Sequence, residues 1–101
     1  MNTNKVKKVM RIGASSWCAP CRLYAPTFKK VSEMEEYSDI TFESVEIDDG
    51  EDHDLELAKF EIKSVPTTIL LDENDEPIYK LMGNIPLKDL IDIINEALKD
   101  R

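Results

Sequence analysis

Two cysteines, Cys18 and Cys21, are the only thiols in the sequence, and they share one Cys-x-x-Cys, Trp17-Cys18-Ala19-Pro20-Cys21. A thiol becomes a nucleophile only when ionised, and free cysteine is mostly protonated near neutrality. The first turn of a helix favours ionisation, because its unpaired N–H groups and positive dipole end stabilise a thiolate. Cys18 falls where a short apolar run, Val9 to Ala14, gives way to a helical pattern, with the small pair Ser15–Ser16 between them. Cys21 comes three residues later, on the same helix face and about one turn deeper. A thiolate at the open end with a protected thiol below suits reversible exchange. Cys18 attacks a disulfide, and Cys21 then attacks the mixed disulfide that results.

Two other uses of such a pair stand beside this one. A structural disulfide would close too small a loop to constrain the unfolded chain. A zinc site would need two further ligands, and the sequence offers one histidine, His53, and carboxylates.

The remaining charge is acidic. From Glu43 to Glu56 the chain carries Glu43, Glu46, Asp48, Asp49, Glu51, Asp52, Asp54 and Glu56 with no lysine or arginine. Their spacing does not match a calcium-binding loop, so a solvated loop feeding a helix is expected, with Asp52 or Asp54 capping it and His53 at the surface. A formal net charge of −8 argues against nucleic acid and against anionic membrane surfaces as partners. No segment reads as a signal peptide or as long enough to cross a bilayer. With 101 residues, the reading is a polar N-terminal tail over 1–8 and a single domain over 9–101.

The elements that must hold the cysteines follow from periodicity. A strand is expected from Val9 to Ala14, then a helix whose apolar residues Leu23, Tyr24, Phe28, Val31 and Met34 carry it through Tyr37. Pro20 suits its first turn and Pro26 should bend it. A second strand spans Ile40–Ile47, a short helix Asp54–Phe60, and a β-rich run Thr67–Leu71 follows Pro66. A turn at Asp72–Pro77 leads to a returning strand, Ile78–Met82, which Gly83 ends. Pro86 opens a last helix with the stripe Leu87, Leu90, Ile91, Ile94 and Leu98. The order β-α-β-α-β-β-α implies a four-stranded mixed sheet flanked by helices, with the first and third strands central and Ile40–Ile47 and Ile78–Met82 at the edges. A site belongs beyond the carboxyl ends of the parallel strands, where Cys18 lies.

Taken with Val65-Pro66-Thr67, the Trp17–Cys21 motif resembles the thioredoxin family, in which an aromatic-preceded Cys-x-Pro-Cys is completed by a cis-proline loop. Pro26 matches the family's helix proline, Leu57 to Thr67 its approach to the cis-proline, and Gly83 its glycine after the last strand. The resemblance implies an α/β thioredoxin-like fold and a protein-disulfide reductase. It places a cis Pro66 against the cysteines and a substrate groove formed by Trp17, Ala19, Pro20, Val65, Pro66 and Gly83. It further implies a cytoplasmic monomer whose only redox group is the Cys18–Cys21 disulfide. Its substrates would be protein disulfides, its electron donor a flavoenzyme thioredoxin reductase, and ribonucleotide reductase a candidate client.

The match has departures. Only eight residues precede Val9, so a minimal form lacking the family's usual first strand and first helix is expected. The family's second tryptophan falls on Ala14, its buried aspartate on Ile12, and that aspartate's lysine near Ser44. An isoleucine accepts no proton, which leaves the resolving thiol without its base unless Glu43 or Glu46 points inward. The glutaredoxin family shares the fold and would imply glutathione dependence. Ala19-Pro20 differs from its usual proline–tyrosine pair, the acidic loop would repel glutathione's carboxylates, and Arg22 is one anion contact on offer, though such a residue is more often a solvated helix face. A redox-inert binding module is the other alternative, against which both cysteines stand intact.

Overall fold

The computed structural model describes residues 6–99. Strand β1 (Lys8–Gly13) runs into helix α1 (Ala19–Ser32), and a single 3₁₀ turn (Glu35–Tyr37) leads to β2 (Thr41–Glu46). Helix α2 (Asp54–Lys59), strands β3 (Thr67–Leu71) and β4 (Pro77–Met82), and helix α3 (Leu87–Leu98) complete the chain. The sheet order is β2-β1-β3-β4, with β1 parallel to β2 and the other two pairs antiparallel. The β-α-β-α-β-β-α order and the mixed four-stranded sheet are those expected.

One expectation is corrected. A shortened fold without a first strand and first helix was anticipated from the brevity of the segment before Val9. Both elements are present, as β1 and α1, and the fold is a standard one of its kind. The physical reason is that the chain before Val9 already belongs to the sheet. Lys7 N–H donates to the Leu71 carbonyl at 2.8 Å, the Lys7 carbonyl accepts from Thr41 N–H at 3.0 Å, and Val6 is buried. Strand β1 therefore starts at Lys8 and leads directly into α1.

Helix α1 also stops earlier than its apolar spacing suggests. Met34 takes an extended conformation (φ −73°, ψ 130°), so the apolar series continues into the 3₁₀ turn at Tyr37 rather than along one helix. Pro26 lies inside α1 without ending it.

Strand alternation divides the interior in two. Val9 and Leu70 face Tyr24, Phe28 and Val31 of α1 and Leu90 and Ile94 of α3. Met10, Ile12, Val45, Ile69 and Leu71 face the other way, toward Phe60, with Leu57, Ile62 and Val65 packed at the margin. Strand β3 is central and all five of its residues are buried. Its two threonines are satisfied: Thr68 Oγ1 donates to Tyr24 Oη and Thr67 Oγ1 to the Ser64 carbonyl, each at 2.7 Å. A buried hydroxyl without a partner would be costly, so each threonine in this otherwise aliphatic strand is explained by its acceptor.

Candidate active site

Cys18 is the N-cap residue of α1, in extended conformation (φ −106°, ψ 103°), and its Sγ accepts the Cys21 N–H at 3.1 Å. Sulfur thus occupies the place a serine or aspartate oxygen takes in an ordinary cap, and meets a free N–H of the first turn. Ala19 and Pro20 open the helix on its exposed side. Cys21, one turn in, is completely buried among Ala14, Ile47 and Val65. The two cysteines are joined as a disulfide, with Cα atoms 5.2 Å apart.

The loop before the helix is held by carboxylates from across the sheet. Glu46 accepts Ser15 N–H at 2.9 Å and the Ser15 hydroxyl at 3.1 Å, and Asp48 accepts Ser16 N–H at 2.8 Å. Trp17 and Cys18 N–H groups both donate to the Ala14 carbonyl, which folds the loop back so that Trp17 stands out at 64% exposure. Arg22 Nη1 donates to the Ser15 carbonyl at 2.7 Å and braces the same loop.

The opposite wall is the Val65–Pro66 loop, whose peptide bond is cis. Cys18 Sγ lies 3.7 Å from the Val65 carbonyl oxygen. Pro66 is buried, and its carbonyl accepts Gly83 N–H at 2.8 Å. Gly83 has φ +97°, a conformation open to glycine and strained for other residues. Beside Trp17 a shallow cavity of about 380 Å³ runs along Ile47, Leu57, Ile62 and Val65. The structure therefore brings Trp17, Cys18, Ala19, Pro20, Cys21, Val65, Pro66 and Gly83 to one end of the sheet.

Ile12 belongs to a cluster that shares Ile47 and Val65 with the cysteines. It points to the α2 side, packed with Met10, Val45, Phe60 and Ile69. The residues of β1 on the Cys21 side are Arg11 and Gly13. The Arg11 guanidinium is buried, donating from Nη2 to Glu46 at 2.6 Å and from Nε to Ser44 Oγ at 3.3 Å, with Cζ 5.9 Å from the Phe28 ring centroid. Sequence reasoning passed over this pair, although an arginine inside a short apolar strand was a visible signal.

Glu46 does turn inward, yet it is a poor base. Burial pushes its carboxyl upward, but hydrogen bonds from Ser15 N–H and Arg11, with the Arg11 charge, outweigh burial and hold it below the ordinary glutamate value. His53, expected as a plain surface residue, bridges Glu56 at 2.9 Å and Asp49 at 2.8 Å. These two contacts raise its pKa to about 9. The N-cap of α2 is His53, without a side-chain cap bond, rather than Asp52 or Asp54; Asp52 Oδ1 accepts Asp54 N–H just ahead of it.

Comparison with known proteins decides the family. The thioredoxin family model matches residues 4–96. The chain belongs to the thioredoxin family. A thioredoxin of Mycoplasmoides gallisepticum is 31% identical over 94 residues, spanning 93% of this chain and 86% of its own. A thioredoxin of Staphylococcus haemolyticus is 28% identical, over 83% and 76%. Among solved structures, thioredoxin f from spinach chloroplast superposes with a TM-score of 0.76 at 25% identity, covering 97% of this chain and 82% of that one. Thioredoxin O2 from Arabidopsis thaliana in its oxidised state gives 0.75 at 25% identity, over 94% and 77%.

As a member of the thioredoxin family, the chain carries its redox group in two of its own side chains: the Cys18–Cys21 disulfide, capable of thiol–disulfide exchange with protein disulfides. In the exchange, one thiolate attacks a substrate disulfide and displaces a substrate thiolate. The second thiolate then attacks the mixed disulfide, closing Cys18–Cys21 and releasing the other substrate sulfur. Two electrons pass to the substrate, and its two thiolates take up protons from water.

Proposed function

We propose that the chain is a cytoplasmic, monomeric protein-disulfide reductase in which Cys18 is the attacking thiol and Cys21 the resolving one. The difference between the two sulfurs carries this reading. Cys18, itself only 5% exposed, caps the helix beside exposed Trp17 and the Val65 backbone, whereas Cys21 lies one turn deeper with no exposed surface. Helix N–H groups favour the Cys18 thiolate, and an incoming disulfide can reach it in line. Trp17, Ala19, Pro20, Val65, Pro66 and Gly83 form the groove in which an extended substrate segment lies, with Val65 offering its main chain for pairing. A flavoenzyme thioredoxin reductase is the proposed electron donor and ribonucleotide reductase a proposed client. A reducing compartment suits a sequence whose two cysteines both sit in the redox pair.

Mass spectrometry after exposure to an oxidised peptide tests the roles. Cys21→Ser should accumulate a peptide adduct on Cys18, and Cys18→Ser should neither trap nor reduce. Equal trapping by both variants, or by neither, would remove the assignment. Recharging by a thioredoxin reductase with its nicotinamide, set beside glutathione alone, tests the electron donor; efficient recharging by glutathione alone would overturn it.

A further inference from the structure

Beneath the redox pair lies a buried cation with an unused donor. Arg11 is 5% exposed; Nη2 and Nε are engaged by Glu46 and Ser44, but the buried Nη1 has no hydrogen-bond partner among the described residues. A guanidinium carries five donors and keeps its charge across the pH range of proteins. Leaving one of its nitrogens dry and unpaired is costly, unless an anion arrives there during the working cycle. Gly13 shows where Nη1 points. A β-carbon at Gly13 would stand 2.8 Å from Arg11 Nη1 and 3.5 Å from Cys21 Sγ. The cation and the inner sulfur therefore border the same small space, which exists because residue 13 has no side chain.

We infer that Arg11 stabilises the Cys21 thiolate during resolution of the mixed disulfide, a role for positive charge where no carboxylate base is placed. This rests on Cys21 being the resolving thiol. In the step, Cys21 gives its proton to water and its thiolate attacks Cys18 Sγ. The Cys18–Cys21 bond forms as the bond from Cys18 to the substrate sulfur breaks, and the substrate sulfur leaves with the electron pair and takes a proton from water. Arg11 moves no proton. It lowers the free energy of the charged state of Cys21, which burial alone would disfavour.

The groups facing Cys21 among the described residues set the sign. From β1 comes the Arg11 charge, and from the residue just after it the Ala14 N–H, which donates to Cys21 Sγ at 3.4 Å. From β2 comes Glu46, whose negative charge opposes the effect but is bound to Arg11 and Ser15. From α1 come Cys18 and the neutral Tyr24, its phenol pushed up by burial and paired with Thr68 of β3.

A charge effect and a merely structural one make opposite forecasts. If Arg11 only braced the loop through Glu46, then Arg11→Met and Glu46→Gln would act alike. If it acts on Cys21, they act in opposite directions. Cys21 is titrated by its ultraviolet thiolate absorbance in a Cys18→Ser background, which reads its charge whichever cysteine attacks substrate. Arg11→Met should raise the midpoint by about one pH unit or more, Glu46→Gln should lower it, and Arg11→Lys should stay near the parent. Stopped-flow decay of the mixed disulfide, with Cys18 restored, should slow about tenfold in Arg11→Met near neutrality, with initial attack unchanged. A midpoint unmoved in Arg11→Met, shifts of the same sign in Arg11→Met and Glu46→Gln, or unslowed decay would overturn the inference. Should Arg11→Met fail to fold, Glu46→Gln decides alone: a midpoint that stays or rises refutes it. Reversed trapping by the two cysteine variants would remove the assigned roles without touching the titration.

Discussion

On the α1/α3 side of the sheet, a cluster of ten buried hydrophobic residues among the described ones includes Tyr24, Phe28, Leu90 and Ile94, whereas the α2-side cluster has six and α2 itself contributes none. Leu90 of α3 has no exposed surface, while Leu55 of α2 is 87% exposed. The redox loop straddles this difference. Cys21, Tyr24 and Phe28 lie along one face of α1, so the inner sulfur is mounted on the deep side. The groove wall beside Trp17, made by Leu57, Ile62 and Val65, belongs to the shallow side. A thiol that must keep a fixed relation to its partner sulfur sits on the firm half. The surface that must accept differently shaped substrates is built on the half with less to lose by moving.

Leu90→Ala puts the deep side to the largest test. A fully buried leucine there should lose about 2–5 kcal/mol of unfolding free energy in a denaturant titration, through lost transfer energy and the cavity left behind. A loss no greater than that of an exposed leucine would erase the contrast. On the shallow side, Leu57→Ala should cost only about 1 kcal/mol, yet weaken binding of an apolar substrate segment because it trims the groove wall. Leu55→Ala serves as the surface control and should fall within about 0.5 kcal/mol of the parent.

The smallest effect concerns pH. His53 is raised to about 9 by Glu56 and Asp49 from an ordinary value of 6.5, so the folded state binds its proton more tightly than the unfolded one. Its contribution is fully present below pH 6.5 and is lost as pH rises through about 9. In the oxidised protein, whose cysteines do not titrate, wild type minus His53→Gln should show this decline. Amide exchange across α2 should quicken over the same window while that of α3 holds. A flat difference would show that the histidine bridge does not hold the acidic segment to α2.

Much of this arrangement is legible from the chain because it is written locally. The cysteines, Pro20 and the Ser15–Ser16 break sit within seven residues, and the start of α1 follows from them. The run Thr67–Leu71 reads as a buried strand from its own composition, and Val65-Pro66-Thr67 marks its entrance. What escaped was non-local. The Arg11–Glu46 pair depends on β1 and β2 meeting in a register that sets Arg11 opposite Ser44 and Gly13 opposite Glu46, residues more than thirty positions apart. Family position singles out Ile12 and passes over its neighbours, yet strand alternation brings Gly13 against Cys21 Sγ and Arg11 Nη1 against Gly13. The N-terminal residues were set aside as polar, yet Val6 is buried and Lys7 bonds to both Leu71 and Thr41, pairings invisible without the sheet.

The shared space over Gly13 also constrains how this sequence can drift. With arginine at position 11, any β-carbon at 13 meets Nη1 at 2.8 Å, so an alanine there requires the guanidinium to shift first. Once a shorter residue replaced Arg11, alanine at 13 would become acceptable, and it would then stand in the way of the arginine's return. The order of substitutions then matters: losing the arginine opens position 13 to a side chain, and a side chain at 13 must be accommodated by the guanidinium if the arginine returns.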